Sequence, residues 1–222
     1  MFCNDMDNEY IQQYGCQKQV KMKSKIFSLS VLLFSCIWLA LIPKTFKPNG
    51  TPTNATEFRL VQDEALGTIS VYTTKGKTPV LTQNAKADFR PFLHPIVAPD
   101  GNGVLTEYSP GHHKHQTGIY WGFTRVNGRD YFHHPEGDYW RRVSATVIKA
   151  KGPEVKWETV YDQLDEKGNT VLTETQTWTM REQNGKYLLD LEWAGEAQTD
   201  VTIGKYDYGG LFVRMPWKEI GR

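Results

Sequence analysis

Every histidine of the 222-residue chain lies between positions 94 and 134: His94, His112, His113, His115, His133 and His134. Imidazole is the side chain whose ordinary pKa lies nearest neutrality, so this concentration points first to proton transfer or metal ligation. If residues 113–115 are extended, His113 and His115 project to one side, and two rings can reach one ligand. Arg90, in the run Arg90-Pro91-Phe92-Leu93-His94-Pro95, offers a fixed charge to an anionic or hydroxylated substrate, and Gln116 adds an amide that could position it. Trp121, Tyr120, Tyr131 and Trp140 follow, and their rings could cover the C–H face of a sugar. The plainer alternatives are that single histidines sit hydrogen-bonded on loops and that these rings fill a core.

The chemistry that the sequence lacks narrows the field. There is no Gly-rich phosphate loop, no nucleophile elbow, and no Ser or Cys nucleophile in a recognisable setting. A metal centre would need His113, His115 and at least one further ligand, such as His94, His133, His134, Glu107 or Glu136, that only folding can supply. The His-x-His spacing of metal-binding cupin barrels wants a Glu four or five residues on, where this chain has Ile119 and Tyr120. Acid/base chemistry by His113 and His115 is therefore the simplest reading, and a divalent metal the less favoured one.

The elements around this region read as strands. Tyr187, Leu189, Leu191 and Trp193 alternate with Leu188, Asp190 and Glu192, the period of two of a half-buried strand. Over 171–180 one face carries Val171, Thr173, Thr175, Thr177 and Thr179, the other Leu172, Glu174, Gln176, Trp178 and Met180. Further strands are expected at 57–62, 67–73, 117–125, 142–150, 155–163 and 209–215. Asn127-Gly128, Asn184-Gly185 and Asp165–Asn169 supply turns between them. No helical stripe of useful length appears after position 45. The expected fold is all-β, an antiparallel β-sandwich, and its abrupt end after 209–215 suggests an incomplete large sandwich from a C-terminally truncated chain.

The N-terminus is of another kind. Residues 26–42 form an uncharged, mostly apolar run, preceded by Lys18, Lys21, Lys23 and Lys25. Basic residues ahead of such a run point to a signal peptide or membrane anchor that places the remainder outside the inner membrane. The expected organisation is a leader over 1–44, with Met22 a plausible true start, a linker over 45–56, and a β domain over 57–222. All three cysteines, Cys3, Cys16 and Cys36, fall in the leader, so the β domain has no disulfide framework. With 26 basic and 25 acidic side chains, a net charge of +1 gives no electrostatic case for nucleic acid.

Together these motifs resemble the PmoA-like family, a group of bacterial exported proteins filed under a methane oxygenase label. The resemblance rests on the stretch from Arg90 to Pro95 and on His113, His115, Gln116 and Gly118. It continues through Asn127, Gly128, Asp130, Tyr131 and Phe132, and through Gly209, Gly210, Leu211 and Arg214. It covers roughly residues 57–222, and His112 stands where the family commonly has Asp. A membrane methane oxygenase subunit needs several spanning helices, and one apolar run supplies at most one. The resemblance implies an exported β-rich protein associated with extracellular sugar degradation. The expectation is a carbohydrate-active protein with His113 and His115 catalytic, and with Arg90, Gln116, Trp121, Tyr131 and Arg214 holding a carbohydrate or other small ligand. Hydrolase, lyase and epimerase chemistry are all open. The alternatives are a non-catalytic sugar-binding sandwich and a metal-dependent oxygenase with His113, His115 and His94 as ligands.

Overall fold

Strand β9 (Thr170–Gln183) shows how the sequence builds the molecule. Its residues alternate between half-buried Thr173, Thr175, Thr177 and Thr179 and fully packed Leu172, Glu174, Gln176, Trp178 and Met180. β-Branched threonines suit the outer pleat, and the larger side chains turn inward. The computed structural model describes residues 55–111 and 113–216 of the chain. The leader, most of the linker, and His112 lie outside the described residues.

Among the described residues there are eleven strands and no α-helix. They are β1 (Phe58–Asp63), β2 (Thr68–Thr73), β3 (Leu81–Asn84), β4 (Phe92–Ile96), β5 (Ile119–Gly122), β6 (Trp140–Lys149), β7 (Lys151–Gly152), β8 (Glu154–Leu164), β9, β10 (Lys186–Ala197) and β11 (Gly210–Val213). One sheet has the order β11-β5-β4-β3-β2-β1-β7 and the other β10-β9-β8-β6. Every ladder is antiparallel. Phe58, Ile69, Val71, Leu81, Leu93 and Ile96 from the first sheet meet Val155, Trp157, Trp178 and Met180 from the second. The fold is an antiparallel β-sandwich, as the alternation and turn signals require.

The β9–β10 hairpin turns at Asn184-Gly185, both with positive φ (53° and 73°). That is the mirror-image turn that matches the twist of paired strands. Three strands escape the sequence reading. β3 is only four residues long, β7 two, and β4 runs through Pro95, a residue that ordinarily argues against a central strand.

The sheet must come very close to itself just beyond the histidine loop. Gly118 has φ +91°, and a Cβ there would lie 2.2 Å from the carbonyl oxygen of Leu93. Gly118→Ala should therefore cost more than about 2 kcal/mol, from backbone strain plus displacement of β4. Gly101 has φ +78° with open space around it, so Gly101→Ala should cost only about 1 kcal/mol. Urea unfolding of the two variants separates these effects; equal losses would show that close approach to Leu93 matters little.

Candidate functional site

Three chain segments form the site. The first is the turn-rich loop 109–116, closed at its base by a bridge between Tyr108 and Thr117. Ser109 donates its N–H to the Gln116 carbonyl (2.7 Å), His113 to Pro110 (2.8 Å) and Gln116 to His113 (3.0 Å). His113 and His115 are thus carried on consecutive turns, and not on an extended segment that would project both to one side. Their rings nonetheless approach, with centroids 6.1 Å apart.

The second segment follows β5. Asp130 Oδ1 accepts the backbone N–H groups of Phe132 and His133, both at 3.0 Å. Its Oδ2 lies 2.8 Å from His133 Nδ1. A carboxylate held by two amides accepts from Nδ1–H, which leaves His133 Nε2 as an acceptor. The third segment supplies the donor: Tyr208, just ahead of β11, lies with its hydroxyl 2.9 Å from Nε2. Burial, aided by Tyr206 and by the charges of Asp130 and Asp207, raises the Tyr208 pKa, so the phenol carries its proton at neutral pH. Asp130, His133 and Tyr208 therefore form one hydrogen-bonded line. The His115 ring sits 4.6 Å from that of His133, edge to face.

These segments enclose a concavity of about 420 Å³ lined by His113, His115, Gln116, Phe132, His133, Tyr208 and Phe212. Burial pushes the His115 pKa down to about 4, reinforced by His133, Arg90 and His113 and opposed by Asp130. At neutral pH His115 is an uncharged imidazole that can accept a proton or a hydrogen bond. Gln116 Oε1 accepts from Arg214 Nη1 (3.1 Å), whose Nε donates to Glu107 Oε2 (2.8 Å). Arginine can only donate, so the Gln116 carbonyl is committed to it and the amide N–H₂ end is the one left for a ligand.

The expected residues thus divide. His113, His115 and Gln116 line the concavity. Arg214 acts on it through Gln116, and does not line it. Arg90 is wholly buried, with its guanidinium turned to backbone carbonyls, so this placement does not fit the expected grip on a substrate. Tyr131 is also wholly buried, donating its hydroxyl to the Leu164 carbonyl (2.7 Å) and packing against Trp140. It belongs to the core and offers no sugar platform. Trp121 is half-buried and stacked on Trp193, ring centroids 4.7 Å apart.

His94 lies apart from the other two, its Nδ1 2.9 Å from Thr106 Oγ1 and its ring against Tyr108. Burial lowers its pKa. His133 takes the place in the cluster that the sequence reading gave to His94. Among the described residues no group of three or more His, Cys, Asp or Glu side chains is arranged to hold a metal ion. His133 has both ring nitrogens engaged by Asp130 and Tyr208, which does not suit a ligand.

Asp130, Phe132, Tyr208 and Phe212 also belong to the site, beyond the residues expected there. Asp130-x-x-His133 was the available signal, since a carboxylate three residues before a histidine can cap the turn and orient the ring. Nothing local marks Tyr208, which reaches the site from 75 residues away. A second concavity, of about 540 Å³, is lined by Arg129, Tyr139, Asp165, Glu166 and neighbours. Its one ring, Tyr139, is already engaged by Arg129 at 3.8 Å and by stacked His134 at 4.6 Å.

No curated protein and no solved structure matches the chain. A family model does, over residues 70–221, a span that includes β3 to β11, the histidine loop, Asp130, His133 and Tyr208. The chain belongs to DUF6807, a family of unknown function.

Proposed function

We propose that the concavity performs acid/base chemistry on an uncharged, hydroxyl-rich small molecule, a sugar or glycoside, in an exported protein. The observation that carries this reading is the line Asp130–His133–Tyr208, which ends at the cavity beside the neutral ring of His115. Tyr208 can pass its proton to His133 Nε2 as its oxygen takes one from the substrate, and the Asp130 carboxylate stabilises the imidazolium that results. His115 can accept a second proton or a hydroxyl hydrogen bond.

The walls support the substrate class. Half-buried Phe212 and the exposed ring of Tyr208 offer apolar faces suited to C–H surface. The free end of Gln116 offers N–H donors to a hydroxyl or carbonyl oxygen. Arg214, a cation beside the cavity, is already paired with Glu107, which favours an uncharged ligand over an anion. The resemblance to the PmoA-like group and its sugar-degrading associations supports the same choice. Export is supported by the apolar run after Lys18–Lys25.

The test is a panel of free sugars and glycosides of several linkages, with products read by mass and by proton exchange into deuterated solvent. Turnover by the natural chain that disappears in the folded double variant His113→Ala/His115→Ala is expected. Turnover equal in the two proteins, or none by the natural chain on any member, sinks the reading.

A further inference from the structure

The acid/base reading uses the rings of His115 and His133 side by side, 4.6 Å apart, yet they come from different loops. His115 lies in the 109–116 loop and His133 in the segment after β5, and no hydrogen bond joins the two rings. One side chain touches the backbone of both segments. Arg90 Nη2 donates to the His115 carbonyl at 2.6 Å and lies 3.4 Å from Thr117 Oγ1. Arg90 Nη1 donates to the Phe132 carbonyl, immediately before His133, and lies 3.4 Å from the Tyr131 carbonyl. The Arg90 backbone N–H adds a bond to Pro135 (2.9 Å), on the far side of His133.

We infer that Arg90 is a positioning residue that sets the separation of the His115 and His133 imidazoles by clamping the carbonyls of His115 and Phe132 in one guanidinium fork. The arrangement uses what is particular to arginine. Its donors are coplanar and fixed in angle, so two acceptors bound to different nitrogens are held at a distance the group itself dictates. A lysine ammonium is a point donor on a flexible stem and dictates no such distance. The ring of Tyr120, 3.5 Å beneath the guanidinium carbon, fixes the plane of the fork.

A buried cation is otherwise unfavourable, and burial does pull the Arg90 pKa down, to about 10. That still leaves it charged at neutral pH. Simple filling of the core would be met by an apolar side chain of similar volume. The three carbonyls and the aromatic face account for a charged one. This role rests on the acid/base reading for its purpose, but not for its test.

The test is nuclear magnetic resonance on the full chain with labelled histidine and arginine side chains. In the natural protein the Arg90 Nη protons should resist exchange with water, and the His115 and His133 ring protons should show a mutual Overhauser contact. Arg90→Lys and Arg90→Met should each keep the strand content by circular dichroism and lose that contact. A folded variant that keeps the contact overturns the proposal, as do Nη protons that exchange as freely as those of an exposed arginine. If neither variant folds, Arg90 serves the sandwich as a whole and the assignment to the imidazole pair is also overturned. A sugar panel without turnover, alongside a contact that depends on Arg90, would sink the acid/base reading and leave the clamp standing.

Discussion

Glu174→Gln should make the protein about 3 kcal/mol more stable at pH 8 and hardly change it at pH 4. Glu174 sits on the inward face of β9, wholly buried between the sheets. Burial raises its pKa from the ordinary 4.5 to about 7, although Gln176, Trp193, Gln163 and the charge of Arg90 all pull the other way. A carboxyl whose folded pKa exceeds its unfolded one binds protons more tightly in the folded state. Below pH 4.5 the group is neutral in both states and costs nothing. As pH rises from 4.5 to 7 the unfolded chain ionises first, and stability is lost until the folded carboxyl has ionised as well. A gap of that size corresponds to about 3 kcal/mol above pH 7.

The amide removes this titration and can be accommodated. Gln163 and Gln176 each donate an amide N–H to Glu174, at 3.2 and 2.6 Å. The Oε1 of Gln163 has no hydrogen-bond partner among the described residues, so rotation of that amide would accept a new N–H from position 174. Urea unfolding at unit steps from pH 4 to pH 8 reads the effect directly. A stability difference that does not change with pH would show that Glu174 is not the titrating group.

Glu174 also marks where sequence reasoning stops. The period of two put Leu172, Glu174, Gln176, Trp178 and Met180 on one face, and the structure keeps them there. That this face, and not the threonine face, turns into the core follows from Trp178 and Met180. Which polar neighbours then satisfy Glu174 depends on Gln163 of another strand, a pairing set by register and not by any local signal. The same division holds at the site. His113, His115 and Gln116 lie within four consecutive residues of one loop, so their proximity was legible. His133 and Tyr208 come from segments whose meeting is decided by the pairing of β5 with β4 and β11, and spacing along the chain holds no trace of it. The placement of Arg90 and Tyr131 differs from expectation for a related reason. Residue type told that each could bind a ligand, but both are drawn inward to serve backbone carbonyls, which a folded chain must satisfy.

Asp130→Asn should reduce turnover of the sugar or glycoside roughly 10²- to 10⁴-fold without unfolding the loop. The asparagine oxygen can still accept the backbone N–H groups of Phe132 and His133, so the turn persists. Its amide N–H₂ then faces His133 Nδ1, where the carboxylate accepted a hydrogen bond before. Two donors cannot face each other, so the ring shifts to the tautomer with its proton on Nε2. That proton points at the Tyr208 oxygen, and Tyr208 loses the acceptor into which its own proton would pass. The line survives as geometry but runs backwards. Nitrogen chemical shifts of His133 report the tautomer with no substrate present, and kcat reports the consequence. Tyr208→Phe removes the other end of the same line, so the double variant should be no slower than the worse single one. Losses that multiply would mean that Asp130 and Tyr208 act separately. A reversed tautomer with undiminished turnover would remove the line from the mechanism and leave His115 as the group that moves the proton.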